Sequence, residues 1–247
     1  MSYETILYGV DAGIAKITFN RPQVMNAFDQ ASLKEINAAL KAAASDEAAK
    51  VVVLTGAGRA FSAGRDFTAL GEERDGKDVG RPIREIVDTI QSLPKVVIAM
   101  VNGYCLTGAL EIVVACDIII ASEEAKFAET HVRYGLRPAA GLSQRLPLLV
   151  GLMKAKELCF TAKMITAEEA ERIGLVNMAV PVNKLEETVK QMAEQIMANS
   201  LDAVAVYKQL FNTGDRAMIE KGLDFEIKGN FVIRDTEERL RKALKKG

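Results

Sequence analysis

The spacing of hydrophobic and polar positions along the chain predicts strands and helices in alternation. Residues 6–11 and 14–20 alternate between apolar and polar positions on either side of a glycine turn, which predicts a β-hairpin. Apolar runs without alternation predict buried strands at 51–55, 96–101 and 116–122, and a last short strand at 176–181. Apolar residues recur at helical spacing at 32–44, 83–93, 144–150, 152–160 and 167–174. Strands and helices in this order are typical of an α/β core.

The last part of the chain has the helical pattern alone. We therefore expect an α/β core domain over residues 1–183 and a C-terminal helical region over residues 184–247. Within that region, apolar stripes predict helices at 185–197, 203–211 and 218–246. One stripe, formed by Ile219, Leu223 and Phe231, is of the kind that a partner subunit would cover.

Composition mainly excludes functions. Lys and Arg number 32 against 33 Asp and Glu, without a long basic run, so we expect no nucleic-acid partner. Three cysteines in apolar runs, without C-x-x-C spacing, fit a reducing compartment. Neither a secretory leader nor an apolar run of ~18–20 residues is present, so we expect a cytoplasmic protein without a membrane segment. The only histidine is His131, which excludes a two-histidine metal site, and we expect no metal.

The most informative stretch is 96–111, where a buried strand passes through a glycine turn into a helix. At the helix start, the N–H of Gly108 would suit an oxygen that develops negative charge. A second glycine loop, 62–68, offers the N–H of Arg65. Both loops follow parallel strands, so we expect them at the same end of a sheet, where ligands bind. Glu111, between apolar neighbours in the first helical turn, is the candidate for handling a proton or a water.

More ordinary explanations exist for each of these residues. Gly108 would also suit a tight turn, and a carboxylate at Glu111 is favoured by a helix N-terminus in any case. His131 would also suit a core or surface position. The chain lacks the glycine spacing of dinucleotide-binding and phosphate-binding loops, and its serines do not occur in a G-x-S-x-G elbow.

Three motifs occur in order along the chain: Gly58-Arg-Ala-Phe-Ser-Ala-Gly-Arg-Asp-Phe, Val101-Asn-Gly-Tyr-Cys-Leu-Thr-Gly-Ala-Leu-Glu and Ala115-Cys-Asp-Ile-Ile-Ile-Ala-Ser. Together they resemble the enoyl-CoA hydratase/isomerase (crotonase) superfamily, and the resemblance covers residues 5–235. It implies an α/β fold built as a spiral of ββα units, followed by C-terminal helices that form a homotrimer, often paired into a homohexamer (a dimer of trimers). It also implies an acyl-CoA thioester substrate and no permanently bound cofactor, with coenzyme A arriving as part of the substrate.

The resemblance assigns an oxyanion hole to the N–H groups of Arg65 and Gly108, which would hold the thioester oxygen. Coenzyme A would run along two segments that contribute most of the implied substrate-binding residues. The full set is Gln23, Val24, Met25, Ala63, Arg65, Asp66, Phe67, Thr68 and Gly108.

Hydratases of this family use two glutamates that share the attacking water. Glu111 matches the first, and counting back from Gly135 places His131 at the position of the second. An imidazole can accept or donate a proton near neutral pH, so we predict hydration with Glu111 as base and His131 as acid. Glu129, two residues earlier, is expected to point elsewhere if this segment is extended.

The leading hypothesis is a lyase of fatty-acid metabolism that adds water to a 2-enoyl-CoA through an enolate. Histidine at the second position leaves open another acyl-CoA reaction, either isomerisation, hydrolysis or decarboxylation. A non-catalytic acyl-CoA-binding subunit is also left open. The charged, glycine-containing segment 71–82 is predicted to be a surface loop and a candidate lid that lines the acyl pocket.

Overall fold

The computed structural model describes residues 3–66, 80–228 and 235–245, which form two largely parallel sheets with helices around them. The strands are β1 (Ile6–Asp11), β2 (Ile14–Phe19), β3 (Val51–Gly56), β4 (Ala60–Ser62), β5 (Val96–Val101), β6 (Tyr104–Leu106), β7 (Ile118–Ser122), β8 (Lys126–Ala128), β9 (Ile165–Thr166) and β10 (Met178–Val180). The helices are α1 (Gln30–Ser45), α2 (Arg81–Ser92), α3 (Gly108–Val113), α4 (Leu142–Val150), α5 (Leu152–Thr161), α6 (Ala167–Arg172), α7 (Leu185–Met197), α8 (Leu201–Lys228) and α9 (Thr236–Leu244). The predicted α/β class is confirmed.

Consecutive strands are divided between the two sheets. The larger sheet has the order β1-β2-β3-β5-β7-β10, antiparallel in the predicted β1–β2 hairpin and parallel elsewhere. The smaller sheet has the order β4-β6-β8-β9. Three successive pairs, β3 with β4, β5 with β6 and β7 with β8, each give one strand to each sheet before the chain enters a helix. This is the spiral of ββα units that the resemblance implied.

The smaller sheet was not predicted as a sheet. Its strands β4, β6 and β8 have three residues each and β9 has two. A run that short carries no readable period, so the sequence showed these segments only as glycine loops and turns.

Both faces of the larger sheet are buried, which explains why its central strands are apolar at nearly every position, with Thr55 in β3 and Ser122 in β7 as exceptions. In β3, Val52 and Leu54 face the main core, whereas Val51 and Val53 face a second core on the opposite side. Helix α7 closes that second core with Leu185, Val189 and Ala193.

Several predicted helix boundaries differ from the observed ones by about two residues, and one predicted break between helices was wrong. Helix α2 begins at Arg81 instead of residue 83, because Pro82 lies in its first turn, where no backbone N–H is needed. Helix α8 runs unbroken from Leu201 to Lys228, although two helices were predicted there. Gly214 lies inside it, and a glycine in a helix interior costs only about 1 kcal/mol relative to alanine.

The predicted apolar stripe of the C-terminal region is only partly described. Leu223 packs on its own chain: its Cδ2 lies 2.9 Å from where a Cβ at Gly141 would stand. The side chain of Ile219 and all of Phe231 lie outside the described residues. The division at residue 183 and the trimerisation role of this region stay predictions. None of the helices in the described part of the chain combines the length and apolar composition of a membrane span.

Candidate active site

The two glycine loops singled out in the sequence lie side by side. A parallel bridge joins Arg65 to Phe28, with Phe28 N donating to Gly64 O at 2.7 Å and Asp66 N donating to Phe28 O at 2.9 Å. In such a bridge the central residue directs its own N–H to the other side, away from Phe28. On that other side is the start of α3: a Cβ built at Gly108 would lie 3.8 Å from Arg65 N.

Gly64 makes this close approach possible. Its φ is +89°, and an added Cβ would lie 2.8 Å from Leu106 O and 3.2 Å from Gly108 N. An L-residue would be strained in this conformation and would also press against backbone that cannot easily yield. Glycine at position 64 therefore allows the loop that carries Arg65 to approach the start of α3 closely.

Thr107, immediately before α3, has an unusual backbone conformation. Its φ of +53° and ψ of −110° are disfavoured for a β-branched residue. Two hydrogen bonds to the C-terminal end of β8 and the residues after it stabilise this conformation. Thr107 N donates to Ala128 O at 2.9 Å, and the Thr107 hydroxyl bonds the hydroxyl of Thr130. Such strain costs about 1–3 kcal/mol and is often found at functional sites. Sequence reasoning missed both threonines.

Glu111 lies one turn into α3 and is 3% exposed. Its Oε1 accepts two backbone N–H groups, from Ala139 at 3.1 Å and from Ala140 at 2.8 Å. One carboxylate oxygen is thus occupied by the loop before α4, and the other, Oε2, lies 4.0 Å from His131 Nε2. The structure brings together the two side chains that were predicted to be catalytic.

His131 begins a 3-10 turn, His131–Tyr134, that is separated from β8 by Glu129 and Thr130, and its side chain is buried, with the residue 9% exposed. The prediction that Glu129 points elsewhere was wrong. Glu129 Oε1 lies 2.6 Å from His131 Nδ1 and also accepts the backbone N–H of His131 at 2.8 Å. The prediction assumed an extended segment, but β8 ends at Ala128, so the alternation of side chains stops before Glu129.

Burial and charge move the pKa of both catalytic candidates. Burial raises the pKa of Glu111, and the nearby His131 and the two backbone N–H groups only partly oppose this. Burial alone would lower the pKa of His131, but Glu129, supported by Glu111 and Glu226, outweighs it, so the pKa of His131 is raised. The pKa of each side chain is therefore higher than that of an exposed residue of the same type.

The loop that holds Glu111 is itself anchored from distant parts of the chain. Arg84 of α2 donates to Ala139 O at 2.8 Å. Glu226, a buried residue of α8, accepts Gly141 N at 2.8 Å and also bonds the Ser143 hydroxyl. The sequence marked this loop by its proline and glycines, but nothing in the local pattern indicated an anchor 85 residues away.

The two segments implied to bind coenzyme A are adjacent. Gln23 and Val24 lie exposed on a 3-10 turn, which ends at Met25 in a left-handed conformation with φ +54°. Met25 O accepts Ala63 N at 2.9 Å, which joins this segment to the loop that carries Arg65. Asp66 pairs with Arg21 at 3.4 Å. Phe67, Thr68 and residues 71–79 of the candidate lid lie outside the described residues.

A metal ion would need at least three ligand side chains brought together. Across residues 3–66, 80–228 and 235–245, no three His, Cys, Asp or Glu side chains group in that way.

Comparisons with known proteins place this geometry in context. Residues 9–245 match the model of the enoyl-CoA hydratase/isomerase family. A short-chain-enoyl-CoA hydratase of Clostridium acetobutylicum is 38% identical over 229 residues, which is 92% of this chain and 88% of that protein. A crotonyl-CoA hydratase of Syntrophomonas wolfei is 35% identical to this chain. The match covers 100% of this chain and 97% of that protein. The crystal structure of an enoyl-CoA hydratase/isomerase from Xanthobacter autotrophicus superposes with a TM-score of 0.88 at 35% identity, with 100% of this chain and 95% of that chain covered.

Proposed function

The chain belongs to the enoyl-CoA hydratase/isomerase family, and we propose that it adds water across the 2,3-double bond of a 2-enoyl-CoA thioester. The observation that carries this proposal is the 4.0 Å separation between Glu111 Oε2 and His131 Nε2. A water molecule can hydrogen-bond to both atoms at about 2.8 Å each across such a gap. The two groups can therefore share the attacking water.

The oxygen of the thioester is proposed to lie between the N–H groups of Arg65 and Gly108. Negative charge grows on this oxygen as the enolate forms, and donors fixed in place stabilise the charge without having to reorganise. The backbone supplies both donors, so the arginine side chain at position 65 does not disturb the hole. Coenzyme A would extend from there along the joined segments 23–25 and 63–68.

The proton transfers follow from the side chains. Glu111 takes a proton from the shared water, the hydroxide oxygen bonds to C3, and the C2–C3 π electrons move onto the thioester as an enolate. The His131 imidazolium then gives its Nε2 proton to C2, and the thioester carbonyl re-forms. The proton on Glu111 returns to His131 through the next bound water, which restores both groups and leaves the elements of water on the substrate.

Double-bond isomerisation is the second candidate. It needs the same enolate but no added water, and a single base that moves a proton between two carbons would suffice. The observation in its favour is the histidine at the position of the second glutamate, and the superposed Xanthobacter protein is described as a hydratase/isomerase. Hydrolysis, decarboxylation and a non-catalytic binding role have no comparable support.

Assembly into a homotrimer or a dimer of trimers is part of the proposal. Exposed apolar side chains of α4 and α8 line one surface groove of about 390 Å³. They are Leu148, Leu149, Tyr207 and Phe211. Large apolar groups that share a groove are typical of subunit contacts. A cytoplasmic location stays a prediction from the sequence.

The test is a panel of 2-enoyl-CoA substrates incubated with the purified protein and analysed by mass spectrometry. Hydration adds 18 Da to the substrate, isomerisation changes its chromatographic position without a mass change, and hydrolysis releases free coenzyme A. We expect the 18 Da product, and we expect Glu111→Gln to suppress it. A panel without that product from the folded protein would overturn the proposed reaction.

A further inference from the structure

The His131 ring has a carboxylate on each side. Its Nε2 faces Glu111 Oε2 at 4.0 Å across the proposed water position, whereas its Nδ1 lies 2.6 Å from Glu129 Oε1. We propose that Glu129 is a positioning residue that fixes the tautomer and orientation of His131 and holds it as the cationic acid of the site. The catalytic consequence rests on the proposed function; the effect on the ring itself does not.

The hydrogen bonds to Glu129 determine which ring nitrogen carries the proton. Glu129 Oε1 accepts the backbone N–H of His131 at 2.8 Å and also contacts Nδ1. An ionised carboxylate can only accept, so Nδ1 must be the donor. In the neutral ring the proton is then on Nδ1 and the Nε2 lone pair faces Glu111. In the charged ring both nitrogens carry protons, and Nε2–H is directed at the reacting atoms.

Local packing alone does not explain why a carboxylate is buried at position 129. The side chain is 3% exposed, and its Oε2 has no hydrogen-bond partner among the residues that the structure describes. A buried carboxylate is costly unless a cation compensates it. The structure places the His131 ring beside it, and in the imidazolium form of that ring each charge would stabilise the other.

The groups that face His131 come from several elements. Glu111 lies on α3 and Glu226 on α8, and both raise the pKa of His131 less than Glu129 does. Cys159 of α5 lies near Glu129, but burial raises the pKa of this thiol to about 12, so it stays neutral. From α9, Arg239 donates to the backbone oxygen of Arg133 at 3.4 Å and pairs with Asp235 at 2.6 Å. Among these groups Glu129 is thus the strongest source of cationic character in the ring.

The role of Glu129 needs no proton transfer of its own. When Nε2 gives its proton to C2, the ring becomes neutral. It keeps the proton on Nδ1, which stays hydrogen-bonded to Glu129. The ring is recharged at Nε2 by the proton that Glu111 took from water. A fixed Nδ1–H bond prevents the ring from flipping or changing tautomer between these steps, so every turnover uses the same nitrogen.

The single histidine of the chain allows a direct test. Tag-free protein labelled with ¹⁵N-histidine gives one imidazole, whose two nitrogen shifts report tautomer and protonation during a pH titration. We expect the neutral ring to carry its proton on Nδ1. We expect Glu129→Gln to lower the pKa of His131 by about one unit or more, because an amide keeps the shape but loses the charge.

The matched control is Asp117→Asn. Asp117 is also a largely buried carboxylate that accepts a backbone N–H, from Val97, but it pairs with Lys208 and is not among the groups that shift the pKa of His131. It should leave the pKa of His131 unchanged. The pH profile of kcat is the second measurement: its alkaline limb should move to lower pH in Glu129→Gln and stay in place in Asp117→Asn.

Two results would overturn the positioning role: a neutral ring protonated on Nε2 in the unmodified protein, or an unchanged pKa in Glu129→Gln. If that variant does not fold, Glu129→Asp, which keeps the charge but shortens the reach, takes its place, with a fall in pKa again expected. The spectra need no turnover. If Glu129→Gln lowers the pKa of His131 but the unmodified protein has no hydratase activity, the positioning role is retained and the proposed reaction is rejected. If the unmodified protein hydrates the substrate but Glu129→Gln leaves the pKa of His131 unchanged, the proposed reaction is retained and the positioning role is rejected.

Discussion

The two halves of the candidate site are built in different ways. The half that would hold the thioester oxygen consists of backbone N–H groups at Arg65 and Gly108, brought together by a glycine and a strained threonine. The half that would move protons consists of three buried side chains, Glu111, Glu129 and His131, held by backbone groups and by each other. The first half should depend on backbone conformation more than on side-chain identity, whereas the second half should depend on the identity of its side chains as well as on the backbone that holds them.

Gly64→Ala should have the largest effect on the backbone half. The added Cβ would meet Leu106 O at 2.8 Å in a conformation with φ +89°, so the Arg65 N–H must move. Loss of one oxyanion donor typically lowers kcat by about 10²–10³-fold. Gly151→Ala is the control, because Gly151 has φ +78° but open space around it. That variant should lose stability and keep its kcat; equal kcat values for the two variants would contradict the oxyanion role.

Glu226→Ala should have the next largest effect, on the side-chain half. It leaves the Gly141 N–H and the Ser143 hydroxyl without their acceptor and loosens the loop that holds Glu111. A displacement of about 1 Å at a catalytic group can lower the rate by about 10²-fold, and we expect a fall in kcat of up to that size. Glu220→Ala, an exposed change on the same helix, should leave kcat and the unfolding midpoint unaltered.

The pH dependence of kcat should distinguish the two halves, since only the side chains titrate. Glu111 must be ionised to act as base, and its raised pKa places the acid limb above pH 4.5. His131 must be protonated to act as acid, and its raised pKa places the alkaline limb above pH 6.5. We expect a bell-shaped profile whose limbs belong to the coupled pair. A rate that keeps rising through alkaline pH would exclude His131 as the acid.

Thr107→Gly should have the smallest effect. Glycine relieves the strain of φ +53°, worth about 1–3 kcal/mol, but removes the hydroxyl bond to Thr130, worth about 1 kcal/mol. We expect a modest change in the free energy of unfolding and a kcat within a few-fold of the original, measured by denaturant titration and the hydration assay. A loss of kcat as large as that of Gly64→Ala would mean that the threonine side chain itself belongs to the site.

The sequence predicted the backbone half more completely than the side-chain half. Glycine spacing and the strand runs at β3 and β5 were enough to pair the loops of Arg65 and Gly108, since parallel strands end at the same edge. Glu129 was misjudged because three-residue strands such as β8 leave no period from which to read their ends. Glu226 could not be found at all, because its contact with the loop depends on how α8 packs across the core.

The most direct test of the shared water is a double-mutant cycle with Glu111→Gln, His131→Gln and the combined variant. The hydration rate of a 2-enoyl-CoA is followed by the loss of enoyl-thioester absorbance. General acid or base catalysis contributes about 10²–10⁴-fold, so we expect losses in that range for Glu111→Gln. If both groups act on one water, the combined variant should be little slower than the slower single variant. An unchanged rate in Glu111→Gln, or losses that simply multiply, would contradict a shared water.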